Sequence, residues 1–223
     1  MKFVVLGATG PTGVCLVRQS FLAGHSVHAI VRNPDKVPRD VAENPKFTHA
    51  NADIFSSTSL SEQFDDDCDA VFSCLGSHAH GKQGAFYLPS SEAILEAMTT
   101  KNLKRFICIT SWCTKRAPDN PWFIEWILRP LMLGKVLDDM SSMEDVLGAK
   151  ADQLEFTVVR PPQLVDGDAT NSPIAAKPGL FIPSNECRST KWGSPTIARA
   201  DVARFMLDCL QQQEYINEFV AVA

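Results

Sequence analysis

Short apolar runs alternate with amphipathic stretches along the whole chain. Residues 3–6, 27–31, 47–50, 70–75, 106–110 and 156–159 are such runs, most of them rich in Val, Ile, Leu and Phe. Runs this short, apolar at consecutive rather than alternate positions, are expected of strands buried on both faces; 47–50 is the weakest. Between them the apolar positions repeat at helical spacing. Val14, Val17 and Phe21 share one face, as do Ile94, Leu95 and Met98, and then Val202, Phe205, Met206 and Leu210. The pattern predicts a first helix from near Gly13, capped by Thr12 and ended by Gly24. It further predicts helices over 57–64, 90–100 and 201–210, and a closing edge strand over 219–222. Strand–helix alternation of this kind implies parallel βαβ units. The expected fold is α/β: one doubly wound parallel sheet with helices on both faces, a single domain over 1–223.

Two regions fit less well. Residues 121–137 are crowded with large apolar side chains, Trp122 and Trp126 among them, and Arg129 and Pro130 interrupt the run. Two helical pieces packed on the sheet are expected there, with a lid, a subunit contact or membrane adhesion as other uses. Residues 167–194 are rich in Pro, Gly, Asn and Ser and read as a long surface loop that shapes a substrate pocket.

The chemistry concentrates where strands should end. Gly7, Ala8, Thr9, Gly10, Pro11, Thr12 and Gly13 form a GxxGxxG loop between the first strand and the first helix. In that setting backbone N–H groups can approach a pyrophosphate at the helix's positive end, which marks a Rossmann-like dinucleotide site. An NAD-specific site would place an acid at the end of the second strand. This chain has Arg32, with Lys36 close behind, a pair suited to a 2′-phosphate, so the expected cofactor is NADPH/NADP. Asp53 and Ile54 follow the third strand. There Asp53 either accepts from the adenine amino group while Ile54 packs on the ring, or caps the following turn. Leu75 and Gly76 end the fourth strand, and a glycine there lets the cofactor pass close to the backbone. Thr110 and Ser111 end the fifth, facing the nicotinamide, and Pro161, Pro162, Gln163 and Leu164 follow the sixth, toward the carboxamide side of the ring.

What is missing narrows the reaction. The chain has only two tyrosines, Tyr87 and Tyr215, and the residues four further on are Ser91 and Phe219. A Tyr-x-x-x-Lys acid pair is therefore impossible. His78 and His80 form a His-x-His, yet no third ligand is nearby and no metal site is expected. Lys plus Arg is 21 against 26 for Asp plus Glu, a net charge of −5 with no basic block, which disfavours nucleic acid as a partner. The seven cysteines include no CxxC and are expected to be reduced thiols of a cytoplasmic protein. The apolar run at the N-terminus is too short for a secretory signal, and no stretch approaches the roughly 18 apolar residues of a membrane span.

Together the GATGPTG loop, the VRNPDK segment, Leu75 and Gly76, Thr110 and Ser111, and the Pro161 and Pro162 pair resemble the atypical short-chain dehydrogenase/reductases, and within them the flavin- and biliverdin-reducing branch. The likeness spans nearly the whole chain, including the DVARFMLDCL helix. It implies a monomer that binds NADPH and passes hydride to a flat acceptor, FMN, FAD or a linear tetrapyrrole such as biliverdin. Ser111 would then lie beside the nicotinamide and help orient it, with the proton coming from solvent. Gln163 stands where the vertebrate members of that branch have a histidine. A different class of function, an NADP(H)-binding redox sensor of the NmrA-like kind, shares the loop and also lacks the Tyr–Lys pair. An isoflavone-reductase-like enzyme would need a catalytic lysine, and Lys115, Lys135 and Lys150 lack its context.

Overall fold

The computed structural model describes residues 1–76, 85–117, 120, 124–170, 172–183, 186–187, 190–191 and 194–223. In chain order the strands and helices are β1 (Lys2–Leu6), α1 (Pro11–Leu22), β2 (Ser26–Ile30), α2 (Arg39–Ala42), β3 (Phe47–Ala50), α3 (Ser57–Ser61), β4 (Ala70–Ser73), α4 (Tyr87–Thr100), β5 (Arg105–Ile109), α5 (Gly134–Ala149), β6 (Glu155–Arg160), β7 (Gln163–Val165), β8 (Ala176–Pro178), β9 (Thr190–Lys191), β10 (Ser194–Ala198), α6 (Arg199–Gln212) and β11 (Glu218–Val222). A π-helical segment, Ile124–Leu133, leads into α5.

Eight strands form the central sheet in the order β3-β2-β1-β4-β5-β6-β11-β8. All neighbours are parallel except β11 and β8. The doubly wound parallel sheet expected from the apolar runs is thus present. Its two faces carry separate cores. Leu60, Phe64, Ile94, Met98 and Leu147 pack with Phe106 and Phe156 on one side, and Leu16, Val17, Val202 and Met206 pack with Phe3 and Phe72 on the other. Residues 3–6 are almost completely enclosed, which is why β1 needs apolar side chains on both faces.

Several expectations are corrected. The first helix starts at Pro11 with Gly10 as its N-cap, and Thr12 is a buried residue of the first turn that caps nothing. Proline at the first helical position forfeits no hydrogen bond, so the helix begins there rather than at Gly13. β11 is not an edge strand, because β8 covers it: Ala175 and Ala223 exchange two backbone hydrogen bonds at the end of that ladder. The supposed loop over 167–194 therefore contributes the edge strand of the main sheet and part of a small second sheet, ordered β7-β10-β9. Helix α4 begins at Tyr87, ahead of the predicted 90–100, because Asp139 of α5 accepts from the amides of Phe86, Tyr87 and Leu88 at 2.6, 2.7 and 3.1 Å. In the 121–137 region the two helical pieces meet at Leu133 and Gly134, not at Arg129 and Pro130. Pro130 lies inside the π-helical segment, whose Trp126 and Leu131 are 80% and 76% exposed. Trp122 lies outside the described residues. Among those described, no helix is long and apolar enough to cross a membrane.

Candidate functional site

With β1 to β6 parallel, the segments that follow them leave the sheet along one edge. The strand order reverses between β1 and β4, where a doubly wound sheet opens its binding crevice. The glycine loop sits at that switch point. Gly7 has φ +76°, and a Cβ there would lie 2.5 Å from the Cys74 carbonyl oxygen, so the exits of β1 and β4 touch through a residue without a side chain. A Cβ on Gly13 would collide with the Gly7 carbonyl oxygen. Gly10 N donates to that same oxygen at 3.0 Å and closes the loop. No side chain caps α1: the amides of Thr12 and Gly13 in its first turn receive no capping side chain, while Val14 N donates to the Gly10 carbonyl at 2.9 Å. Thr9 is half-buried and Pro11 exposed on this rim. The cradle fits a pyrophosphate.

At the exit of β2, Arg32 and Lys36 are exposed, and neither has an ion-pair partner among the described residues. The neighbouring cations are already committed: Arg18 to Asp40 at 2.7 Å and Arg39 to Glu43 at 2.6 Å. Asn51 Nδ2 donates to the Arg32 carbonyl at 3.2 Å, which ties the β2 and β3 exits together. Asp53 Oδ1 accepts from the Phe55 amide at 3.0 Å, so the turn-capping role is present, while Ile54 packs partly against the core. Leu75 is half-buried and Gly76 exposed, and a Cβ on Gly76 would meet nothing within 4 Å. Among the described residues, packing does not require glycine there.

The exits of β5 and β6 differ from the expectation. The Thr110 hydroxyl donates to Glu144 Oε1 at 2.8 Å, so it is held by the interior rather than offered to a ligand. Glu144, on α5, is completely buried and also accepts from Thr114 Oγ1 at 2.9 Å. Arg160 completes the cluster, with Nε 3.0 Å from Oε1 and Nη2 2.6 Å from Oε2. The Ser111 hydroxyl has no partner among the described residues, and the side chain is half-buried. Pro161 is buried, and its carbonyl accepts from the Trp112 amide at 3.0 Å. Pro162 is half-buried, Gln163 is exposed at the start of β7, and Leu164 packs against the core. Ser77, His78 and His80 lie outside the described residues.

The sequence reading missed Glu144, Arg160 and Arg129. A signal for Glu144 did exist: Leu137, Met140, Glu144 and Leu147 follow helical spacing, so a carboxylate interrupts the apolar stripe of α5. Arg129 is buried and donates through Nη2 to the carbonyls of Cys113 and Thr114, at 2.6 and 3.1 Å. The thiols around the crevice are not activated. Burial pushes Cys74 and Cys113 up to about 12, and it raises Cys15 despite its place near the start of α1.

Solved structures with this architecture include a provisionally named NADH-flavin reductase from Streptococcus pneumoniae, 22% identical with TM-score 0.72, covering 100% of this chain and 98% of that one. The anaerobilin reductase ChuY from Escherichia coli O157:H7 is 18% identical with TM-score 0.74, over 100% and 96%. The oxidoreductase YlbE from Lactococcus lactis is 18% identical with TM-score 0.76, over 100% and 90%. Identities this low speak to the fold. A sequence profile described as NAD(P)H-binding matches residues 7–213, nearly the whole chain, and with the glycine cradle at the switch point it shows that the chain belongs to the NAD(P)H-binding family.

Proposed function

We propose that the chain is an NADPH-dependent reductase that passes hydride to a flat conjugated acceptor, a flavin such as FMN or FAD or a linear tetrapyrrole. The observation that carries the reading is the half-buried Ser111 hydroxyl at the exit of β5, without a partner among the described residues, in a chain whose two tyrosines have no lysine four residues on. Two of the solved structures sharing the fold are described as reductases of such acceptors, a flavin in one case and anaerobilin in the other. In this reading Gly7, Thr9, Gly10, Pro11, Thr12 and Gly13 hold the pyrophosphate, and Arg32 and Lys36 the 2′-phosphate. Asp53 and Ile54 flank the adenine, Leu75 and Gly76 let the dinucleotide pass, and Ser111, Pro161, Pro162, Gln163 and Leu164 form the nicotinamide wall, with Thr110 held behind it by Glu144.

When bound, NADPH supplies two electrons and one hydrogen as hydride from nicotinamide C4, and a solvent proton completes the reduced acceptor. The protein's part is to align two flat rings and exclude water from between them, work that needs no side-chain acid. The test is NADPH oxidation with FMN, FAD and biliverdin, followed at the loss of NADPH absorbance. Steady consumption with at least one acceptor is expected. Tight NADPH binding without oxidation by any of them would replace the reductase with a sensor.

A further inference from the structure

We propose that Glu144 is a positioning residue, a buried carboxylate that locks the exits of β5 and β6 together and so sets where Ser111 meets the nicotinamide; the inference rests on the reductase reading above. An ionised carboxylate has about four acceptor sites, and here all are used. Oε1 takes Thr110 Oγ1 and Arg160 Nε, and Oε2 takes Thr114 Oγ1 and Arg160 Nη2. Each oxygen therefore bridges the two strand exits. Thr110 immediately precedes Ser111, and Arg160 immediately precedes Pro161, so the ties end one residue short of the wall on either side.

The rest of the segment is held as firmly. Trp112 N donates to Pro161 O at 3.0 Å, and Cys113 N to Leu180 O at 3.2 Å. Cys113 has φ +58°, a left-handed conformation uncommon for a residue with a side chain. Arg160 Nη1 donates to the Gly179 carbonyl at 2.8 Å, bringing the turn after β8 into the same unit. Stability alone does not explain this arrangement, because a buried ion pair is often matched or bettered by apolar residues of equal volume. Fixed geometry beside a reacting ring does explain it, since small misplacements of a positioning group cost large factors in rate.

The test removes the ties and keeps the ion pair. Thr110→Val combined with Thr114→Val preserves shape, and the Thr110→Ser and Thr114→Ser pair restores the hydroxyls. In single-turnover NADPH oxidation with FMN the valine pair should be slowed about tenfold with NADPH affinity held within about threefold, while the serine pair should stay within about twofold of wild type. The fluorescence of bound NADPH should change in the valine pair and not in the serine pair. Ser111→Ala should slow wild type but add little in the valine background, since both act through one hydroxyl. A valine pair with wild-type rate and emission would overturn the proposal, as would an undiminished Ser111→Ala effect in that background. Should the valine pair fail to fold, Thr114→Val alone carries the same comparison. If wild type oxidises no NADPH with any acceptor, the reductase reading falls by itself, and bound-NADPH emission then decides: changed in the valine pair it upholds the positioning role, unchanged it ends it.

Discussion

At the exit of β2 the chain presents a guanidinium where a 2′-hydroxyl reader would present a carboxylate, and the nearby arginines are occupied by their own acids. In the proposed reading Arg32, with Lys36 beside it, is free to meet a 2′-phosphate. A charge-assisted hydrogen bond contributes about 1.5–3 kcal/mol, so Arg32→Ala should weaken NADPH binding about 10- to 150-fold and leave NADH nearly untouched. Titration of cofactor fluorescence measures both, and equal affinity of wild type for the two cofactors would remove Arg32 from the site. The positions of such residues were legible in the sequence because they are set locally, at strand ends and turns. Gly7 needs a positive φ, and Arg32 needs only a place at a strand end. Glu144 was not legible in that way. Its partners Thr110, Thr114 and Arg160 come from other segments, and a glutamate in a helix ordinarily faces water, so only the folded sheet brings the four together.

Among the elements, the strands could be read because burial on both faces demands consecutive apolar residues, and β3 emerged over the predicted span. Helix α4 shows where that local logic stops. Its first turn is Tyr87, Leu88 and Pro89, with no capping side chain of its own, and the cap is Asp139, supplied from α5. Asp139→Ala should therefore fray α4 toward the predicted start and lower stability by about 1–2 kcal/mol, as the loss of a good N-cap does. Denaturant titration is the measurement, and an unchanged midpoint would show that the three amides find other acceptors. β8 escaped prediction for a different reason. A three-residue strand ending in proline, Ala176–Pro178, carries no periodicity and exists only because β11 offers it a ladder.

For the molecule as a whole, acid sensitivity follows from two histidines under the sheet's β1–β3 side. Burial lowers His25 and His28 below their ordinary 6.5, and their Nε2 atoms are enclosed without a partner among the described residues. The folded state resists protonation while the unfolded chain takes up a proton near 6.5, so this contribution is fully present above about pH 6.5 and is lost as pH falls through the depressed folded values. Thermal midpoints should drop between about pH 7 and 5, and His28→Gln should make that slope shallower. A slope identical in the variant would assign the acid sensitivity to other groups. The carboxylates held low by ion pairs, Asp40 and Asp67, titrate below this window and do not confound it.

The covering of β11 by β8 also dictates an order of assembly during synthesis. Pro178 leaves the ribosome 40 residues before Glu218, the first residue of the strand it must join. At about 5–20 residues per second that interval is roughly 2–8 s, during which the apolar side chains of Ile174, Phe181 and Ile182 have no strand β11 to rest beside. Helix α6, whose Val202 and Met206 pack with Phe3 and Phe72, also emerges after Pro178, so the core under β1 and the far edge of the sheet are both completed only by the segment 199–223.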